Sequence, residues 1–159
     1  PPVPNSLDEE EQSLNIFLDI EAHRTKHIWS SPSELTLIDR SVHTLLAHCQ
    51  ALECLTGEGY MSLAERVLHQ SRIPYWPDLV IYLDIPHSEV MTRNNGKFAS
   101  DSIFINCDFN LGIRQYFLRL RNLGVPRLIW LDATLDPLNL RRQAKAEAIE
   151  LLGSHKYKT

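Results

Sequence analysis

The sequence is short of the features that announce a function at once. It holds only 3 cysteines in 159 residues, an odd number without a CxxC spacing, which argues against a disulfide framework and against a zinc site. No apolar run approaches the roughly 18 residues of a membrane span, and no charged-then-apolar leader opens the chain. Basic charge is also short. With 16 Lys+Arg against 20 Asp+Glu the formal net charge is −4, so a general basic face for a nucleic-acid polymer is not expected, although a local basic pocket stays open. The 7 histidines include no HExxH, and His43 and His48, five apart, diverge on a helix, so they read as surface or structural residues. A soluble, cytoplasmic protein is the expectation. The Met-less start, Pro1-Pro2-Val3-Pro4, is what a segment cut from a longer polypeptide would show.

What is present is 43% hydrophobic residues, enough to build a core in one domain. Ser6 and Glu9 make a capping box, and Leu7, Leu14, Phe17, Leu18 and Ile28 recur at helical spacing, which predicts a helix from Leu7 to Trp29. After the break at Ser30 to Ser33, residues Glu34 to Asp39 read as a short strand. Helices are expected from Ser41 to Leu55, with Cys49 on its buried face, and from Tyr60 to Gln70, stopped by Pro74. Leu79 to Ile85 is the strongest strand, apolar at nearly every position, as at the centre of a parallel sheet covered on both faces. A short helix from His87 to Arg93 precedes a polar, Gly-containing lid-like loop over residues 94–107. A helix from Asp108 to Gly124, a strand from Arg127 to Asp132, and a helix from Pro137 to Leu152 capped by Asp136 complete the chain. Strands alternating with helices predict an α/β sandwich in a single domain.

In such sheets the site lies beyond the carboxyl ends of the strands, and the three expected strands end in Asp39, Asp84 and Asp132. At Asp39-Arg40-Ser41 an acid and a guanidinium stand where strand passes to helix. The fork of Arg40 suits phosphate oxygens, and Asp39 could hold a metal-bound water or accept a proton; a structural ion pair is the competing reading. Glu21 and Arg24 lie on or beside the apolar stripe of the first helix, either a site pair or a surface i,i+3 pair. Arg93 and Lys97 straddle the Gly loop and could close over a polyphosphate, or be plain solvated charges. Asp84 reads as structural. Ala133-Thr134 is a small-residue turn able to admit a flat ring.

In serial order these segments resemble the thymidylate kinase and deoxynucleoside kinase-like branch of the P-loop kinases. Phe17-Leu-Asp-Ile-Glu-Ala-His-Arg24 is similar to the family's helix carrying Glu and Arg, Ile38-Asp39-Arg40-Ser41 to its Asp-Arg-Ser/Tyr motif, and Thr44 and Ala47 to the continuation of that motif. Pro77-Asp78-Leu-Val-Ile-Tyr-Leu-Asp84 is similar to its Pro-Asp-Leu…Tyr-Leu-Asp strand, Arg93 to the start of its lid, and Leu131-Asp132-Ala133-Thr134 to its last strand and adenine-side turn. The resemblance covers residues 14 to 150. It implies a three-layer α/β/α fold with a mostly parallel sheet, ATP and Mg2+ as cofactors, and a nucleoside monophosphate or nucleoside as acceptor, in a possible homodimer. Glu21, Arg24, Arg40 and Thr44 would bind the acceptor, Asp39, Arg40 and Arg93 would serve catalysis, with Asp39 reaching the metal through water, and Lys97, Ala133 and Thr134 would face ATP.

The pattern is also broken in places. His48 replaces the aromatic residue usual after Ala47, and the lid has few basic residues. No GxxxxGK[ST] run occurs, so the phosphate-cradling amides, the Lys and the magnesium-binding hydroxyl are absent from these residues. The family's first strand lies mid-sheet, and its loss would part the strand ending at Asp39 from those ending at Asp84 and Asp132. Three expectations follow: the portion of a longer chain after its P-loop, a strand supplied by another polypeptide, or a rearranged sheet. As written, the chain is expected to turn over little or nothing. The alternatives are a non-catalytic kinase-like binding or assembly module, and a small-molecule phosphotransferase.

Overall fold

A computed structural model describes residues 3–4, 6–30, 35–71, 76–100, 102–124 and 126–155. It is a mixed α/β chain whose elements are α1 (Leu7–Ser30), α2 (Val42–Thr56), α3 (Tyr60–Gln70), β1 (Leu79–Asp84), α4 (His87–Asn94), α5 (Cys107–Leu123), β2 (Arg127–Asp132) and α6 (Pro137–His155), with a 3-10 turn at Ile103–Ile105. The chain divides into two compact units: Pro1–Trp76 with Phe98–Tyr116, and Pro77–Lys97 with Phe117–Thr159. None of the described helices is long and apolar enough to cross a membrane.

The first unit is helical. Ser6 Oγ accepts from the Glu9 amide at 3.2 Å, and Asp8, Glu9 and Glu10 place negative charge at the positive end of the α1 dipole. Leu14 and Leu18 point inward, and α1 and α2 both pack on α3. Helix α2 is closed at its start by Ser41, whose Oγ accepts from the His43 amide at 3.3 Å while its own amide donates to Thr44 Oγ1 at 3.4 Å. It ends at Gly57, whose φ of 76° lets its amide return to the Glu53 carbonyl. Eight of its 15 residues are buried, Cys49 among them, as its place in the apolar series predicts. Beside it, Gly112 of α5 is necessary. A Cβ there would lie 2.6 Å from the Cα of Ala51, so two helix backbones meet where only hydrogen fits.

The second unit holds the sheet. Strands β1 and β2 pair in parallel, in register from Leu79↔Arg127 to Asp84↔Asp132, and α6 packs on both. Arg127 ties β2 to α6 by donating to Glu147 at 3.0 Å and Glu150 at 2.9 Å. Tyr82 stacks on Phe117 with ring centroids 4.4 Å apart and leans on its register partner Trp130 at 4.6 Å, contacts worth about 1 kcal/mol each beyond the area they bury.

Two expectations are corrected. Residues 35–38 do not form the expected strand; they run without pairing, and Leu37 is 83% exposed. Their composition suits a strand, but a strand exists only when a neighbour takes its amides and carbonyls, and among the described residues β1 and β2 pair only with each other. For the same reason β1 is an edge strand rather than a central one, its residues half-buried and Leu83 exposed. Glu34 and Pro74 lie outside the described residues. The helix limits match the sequence reading to within three residues, and α3 and β2 match it at both ends.

One acid is built into the helical core. Glu10 is 4% exposed, and burial, with the Glu9 charge as a lesser cause, pushes its pKa up, partly offset by the Cys49 thiol, which donates to its Oε1 at 3.8 Å. A carboxyl raised on folding holds its proton more tightly in the native state, so stability is lost as pH rises above the ordinary Glu value. Glu10→Gln should therefore raise the denaturation midpoint at pH 7, with the gain vanishing below about pH 4, where both states are protonated; a loss at pH 7 would contradict this. Gly112→Ala should cost about 2 kcal/mol in chemical denaturation, the clash outweighing roughly 1 kcal/mol of gained helix propensity; an unchanged midpoint would show room between α2 and α5.

Candidate functional site

The entry to α2 collects most of the expected acceptor residues within the first unit. From α1, Arg24 Nη1 donates to Glu21 Oε1 at 2.5 Å and Nη2 donates to the Asp39 carbonyl at 3.0 Å. Glu21, with its side chain only 12% exposed, fixes the guanidinium from one side and the backbone fixes it from the other. Two of the five N–H groups are used, which leaves donors to meet an anion. The next residue, Arg40, is exposed and holds a φ of 63°, a left-handed conformation that costs a β-carbon-bearing residue roughly 1–2 kcal/mol. Arg24 is thus anchored on the carbonyl of the peptide that leads into Arg40. Thr44 stands one turn into α2, its hydroxyl accepting from the Ser41 amide, so its first role is to close the capping box.

The remaining candidates lie in the second unit. Arg93, in the last turn of α4, donates from Nε to Glu89 at 2.7 Å, an i,i+4 pair on an exposed surface that stabilises little. Lys97 follows, its amide bonded to the Asn94 carbonyl at 2.7 Å. After β2 the turn is tightly bonded. Asp132 Oδ1 accepts from the amide and the hydroxyl of Thr134 at 2.8 and 2.7 Å, the hydroxyl bond foremost in lowering its pKa, and the Ala133 amide donates to the Asp84 carbonyl at 2.8 Å. A purine against Ala133-Thr134 would find both amides already committed, leaving carbonyl oxygens as its partners.

The fit to magnesium is likewise limited. No group of three His, Cys, Asp or Glu able to hold a metal ion occurs among the described residues. A magnesium ion at the start of α2 would rest on phosphate oxygens and water, with Asp39 as its contact to the chain, an arrangement this ion tolerates because it keeps several waters.

The structure decides one open reading and adds one feature. His43, read as surface or structural, is buried, with Nδ1 2.9 Å from the Tyr116 hydroxyl and Trp76 edge-on at 5.2 Å; its Nε2 has no partner among the described residues. Burial lowers its pKa to about 4. The added feature is a row of rings from α2 into the 98–109 segment: His48 against Phe109 at 5.2 Å, Phe109 against Phe104 at 6.1 Å, and Phe104 against Phe98 at 5.6 Å. Phe98 and Phe104 in the expected loop and Phe109 in the helix after it were its traces in the sequence.

Comparison with protein-family models, with curated proteins and with solved structures finds no match.

His43 sets an acid limit. A histidine whose pKa falls on folding is disfavoured when charged, so its neutral form supports the fold above the ordinary value of 6.5 and stability is lost as pH drops toward 4. The loss should reach about 3 kcal/mol. Urea midpoints of the wild type and His43→Gln from pH 7 to pH 4 measure it; parallel pH curves would rule it out.

Proposed function

We propose that this chain is the acceptor-binding portion of a thymidylate kinase-like phosphotransferase, which moves a phosphoryl group from ATP with Mg2+ to a nucleoside monophosphate or nucleoside. The observation that carries the reading is the bond from Arg24 to the Asp39 carbonyl, which holds a Glu21-clamped guanidinium at the peptide leading into Arg40 and α2. A guanidinium clamped by Glu21, with donors to spare, next to the exposed Arg40 that leads into a helix, is suited to a phosphate monoester. The resemblance in serial order assigns these same residues to the acceptor phosphate. Further support comes from the parallel, in-register pair β1 and β2, which end together in Asp84 and Asp132 and fit two adjacent strands of a three-layer α/β/α sheet. In this reading the unpaired run at 35–38 would become a strand only with the family's P-loop strand beside it.

The division of labour follows. Arg24 and Arg40 hold the acceptor phosphate, Asp39 orients the acceptor or the magnesium shell, and Thr44 faces the acceptor from α2. Arg93, with Lys97, neutralises charge on the transferred group once freed from Glu89, while Ala133 and Thr134 border the adenine. ATP, when bound, supplies the phosphoryl group. A cytoplasmic setting and a possible homodimer belong to the same proposal. A second reading, a kinase-like binding or assembly module without catalysis, draws on the lack of a GxxxxGK[ST] run in the sequence.

Binding of nucleoside monophosphates to the 159-residue chain, followed by calorimetry, tests the site, and phosphoryl transfer from ATP with Mg2+, with and without an added P-loop segment, tests the reaction. Arg40→Ala should cost about 3 kcal/mol of transition-state stabilisation where turnover occurs and should abolish monophosphate binding where it does not. An unchanged rate and affinity would remove Arg40 from the site. Binding without turnover even with a P-loop would favour the module, and transfer only to small hydroxylated compounds would favour a small-molecule phosphotransferase.

A further inference from the structure

We propose that His23 and His27 form a two-ligand site for a late first-row divalent cation of the Zn2+ class, set across one turn on the exposed face of α1. The run His23-Arg24-Thr25-Lys26-His27 has the spacing of the two metal-binding histidines in HExxH, without the glutamate that serves there as a general base. Four residues is the interval at which helix side chains stand one above the other, with Cβ atoms about 5–6 Å apart. From that separation two imidazole nitrogens can meet on one ion at the usual zinc distance of about 2.0–2.1 Å. The proposal does not depend on the kinase reading.

The structure keeps both ligands available. Helix α1 runs unbroken through the two positions, and both residues are exposed. Among the described residues neither ring is drawn into a hydrogen bond or ion pair, while the residues between them are engaged elsewhere: Arg24 with Glu21 and the Asp39 carbonyl, and the Thr25 hydroxyl with the Glu21 carbonyl. Each imidazole therefore has a lone pair to offer. Position along the helix adds to this, because His27 lies in the last turn of α1, where the helix dipole is negative and favours a cation. Imidazole suits zinc, nickel and copper, whereas Mg2+ and Ca2+ seek oxygen. No third His, Cys, Asp or Glu joins the pair among the described residues, so water fills the other positions of a four-coordinate ion. The ion would span the same four residues as the backbone bond from the His27 amide to the His23 carbonyl, and so would pin the end of α1 that presents Arg24.

Calorimetric titration of the 159-residue chain with zinc chloride tests this. One ion should bind per chain, Mg2+ in excess should not displace it, and amide hydrogen exchange toward the end of α1 should slow when it binds. His23→Asn and His27→Asn should each weaken Zn2+ binding by about a hundredfold, the advantage that a second, tethered ligand confers. Neither should move the metal-free thermal midpoint, because both side chains are exposed. His27→Cys should retain the ion, since a thiolate also ligates zinc. Zn2+ affinity untouched by both Asn variants would place the ion elsewhere and overturn the proposal. Displacement by Mg2+, or no binding of Zn2+ at all, would overturn it equally.

Discussion

Helix α2 has almost no side open to solvent, and the first unit is arranged around that constraint. One face is taken up with α3, another meets Phe109, and a third lets the backbone of Gly112 come against Ala51. A helix enclosed in this way cannot rotate or slide, because a shift of one residue would drive Cβ atoms into neighbours on several sides. Its first turn is therefore a fixed reference. The capping box at Ser41 and Thr44 sets where the helix starts, the Arg24 bond to the Asp39 carbonyl sets how the chain arrives, and Arg40 is left in a left-handed conformation between them. The strain at Arg40 is offset by this packing and by the Arg24 bond to the carbonyl that precedes it.

Much of this was legible in the residues. Apolar spacing located the long helices among the described residues, and near-continuous apolar runs between turn residues located both observed strands. The pair Glu21 and Arg24 was legible for a physical reason: charges beside an apolar stripe need partners, and here the partners are each other and the Asp39 carbonyl. Residues 35–38 misled for an equally physical reason. Strand propensity describes a surface fit for pairing, and pairing depends on a neighbour that no local stretch of sequence names.

The ring row was not legible, and His43 could be read only as surface or structural, since both depend on contacts between segments remote in sequence. His48 and Phe109 are sixty-one positions apart and His43 and Tyr116 seventy-three. No local period encodes such a meeting. The sequence showed instead that Phe109 and Tyr116 face a core, without showing which helix forms that core's other wall. The Thr134 hydroxyl is a smaller case. Its closeness to Asp132 could be read from spacing, yet its engagement there, which ties up the turn's donors, needed the coordinates.

The order in which the two units use the chain has a consequence for synthesis. The first unit takes residues up to Trp76 and then needs Phe98 to Tyr116, while the second begins at Pro77 and is completed only by the residues from Phe117 onward. Neither is a continuous stretch. As the chain leaves the ribosome, α1, α2 and α3 must wait for Gly112 and Phe109 before their shared core can close, with the hydrophobic β1 already exposed in the interval. Pairing β1 with β2 waits longer still, for a parallel partner more than forty residues later. The completion of both units is thus deferred until α5 and the residues after it are made, and a nascent chain halted before α5 would present an unfinished helical core and an unpaired strand together.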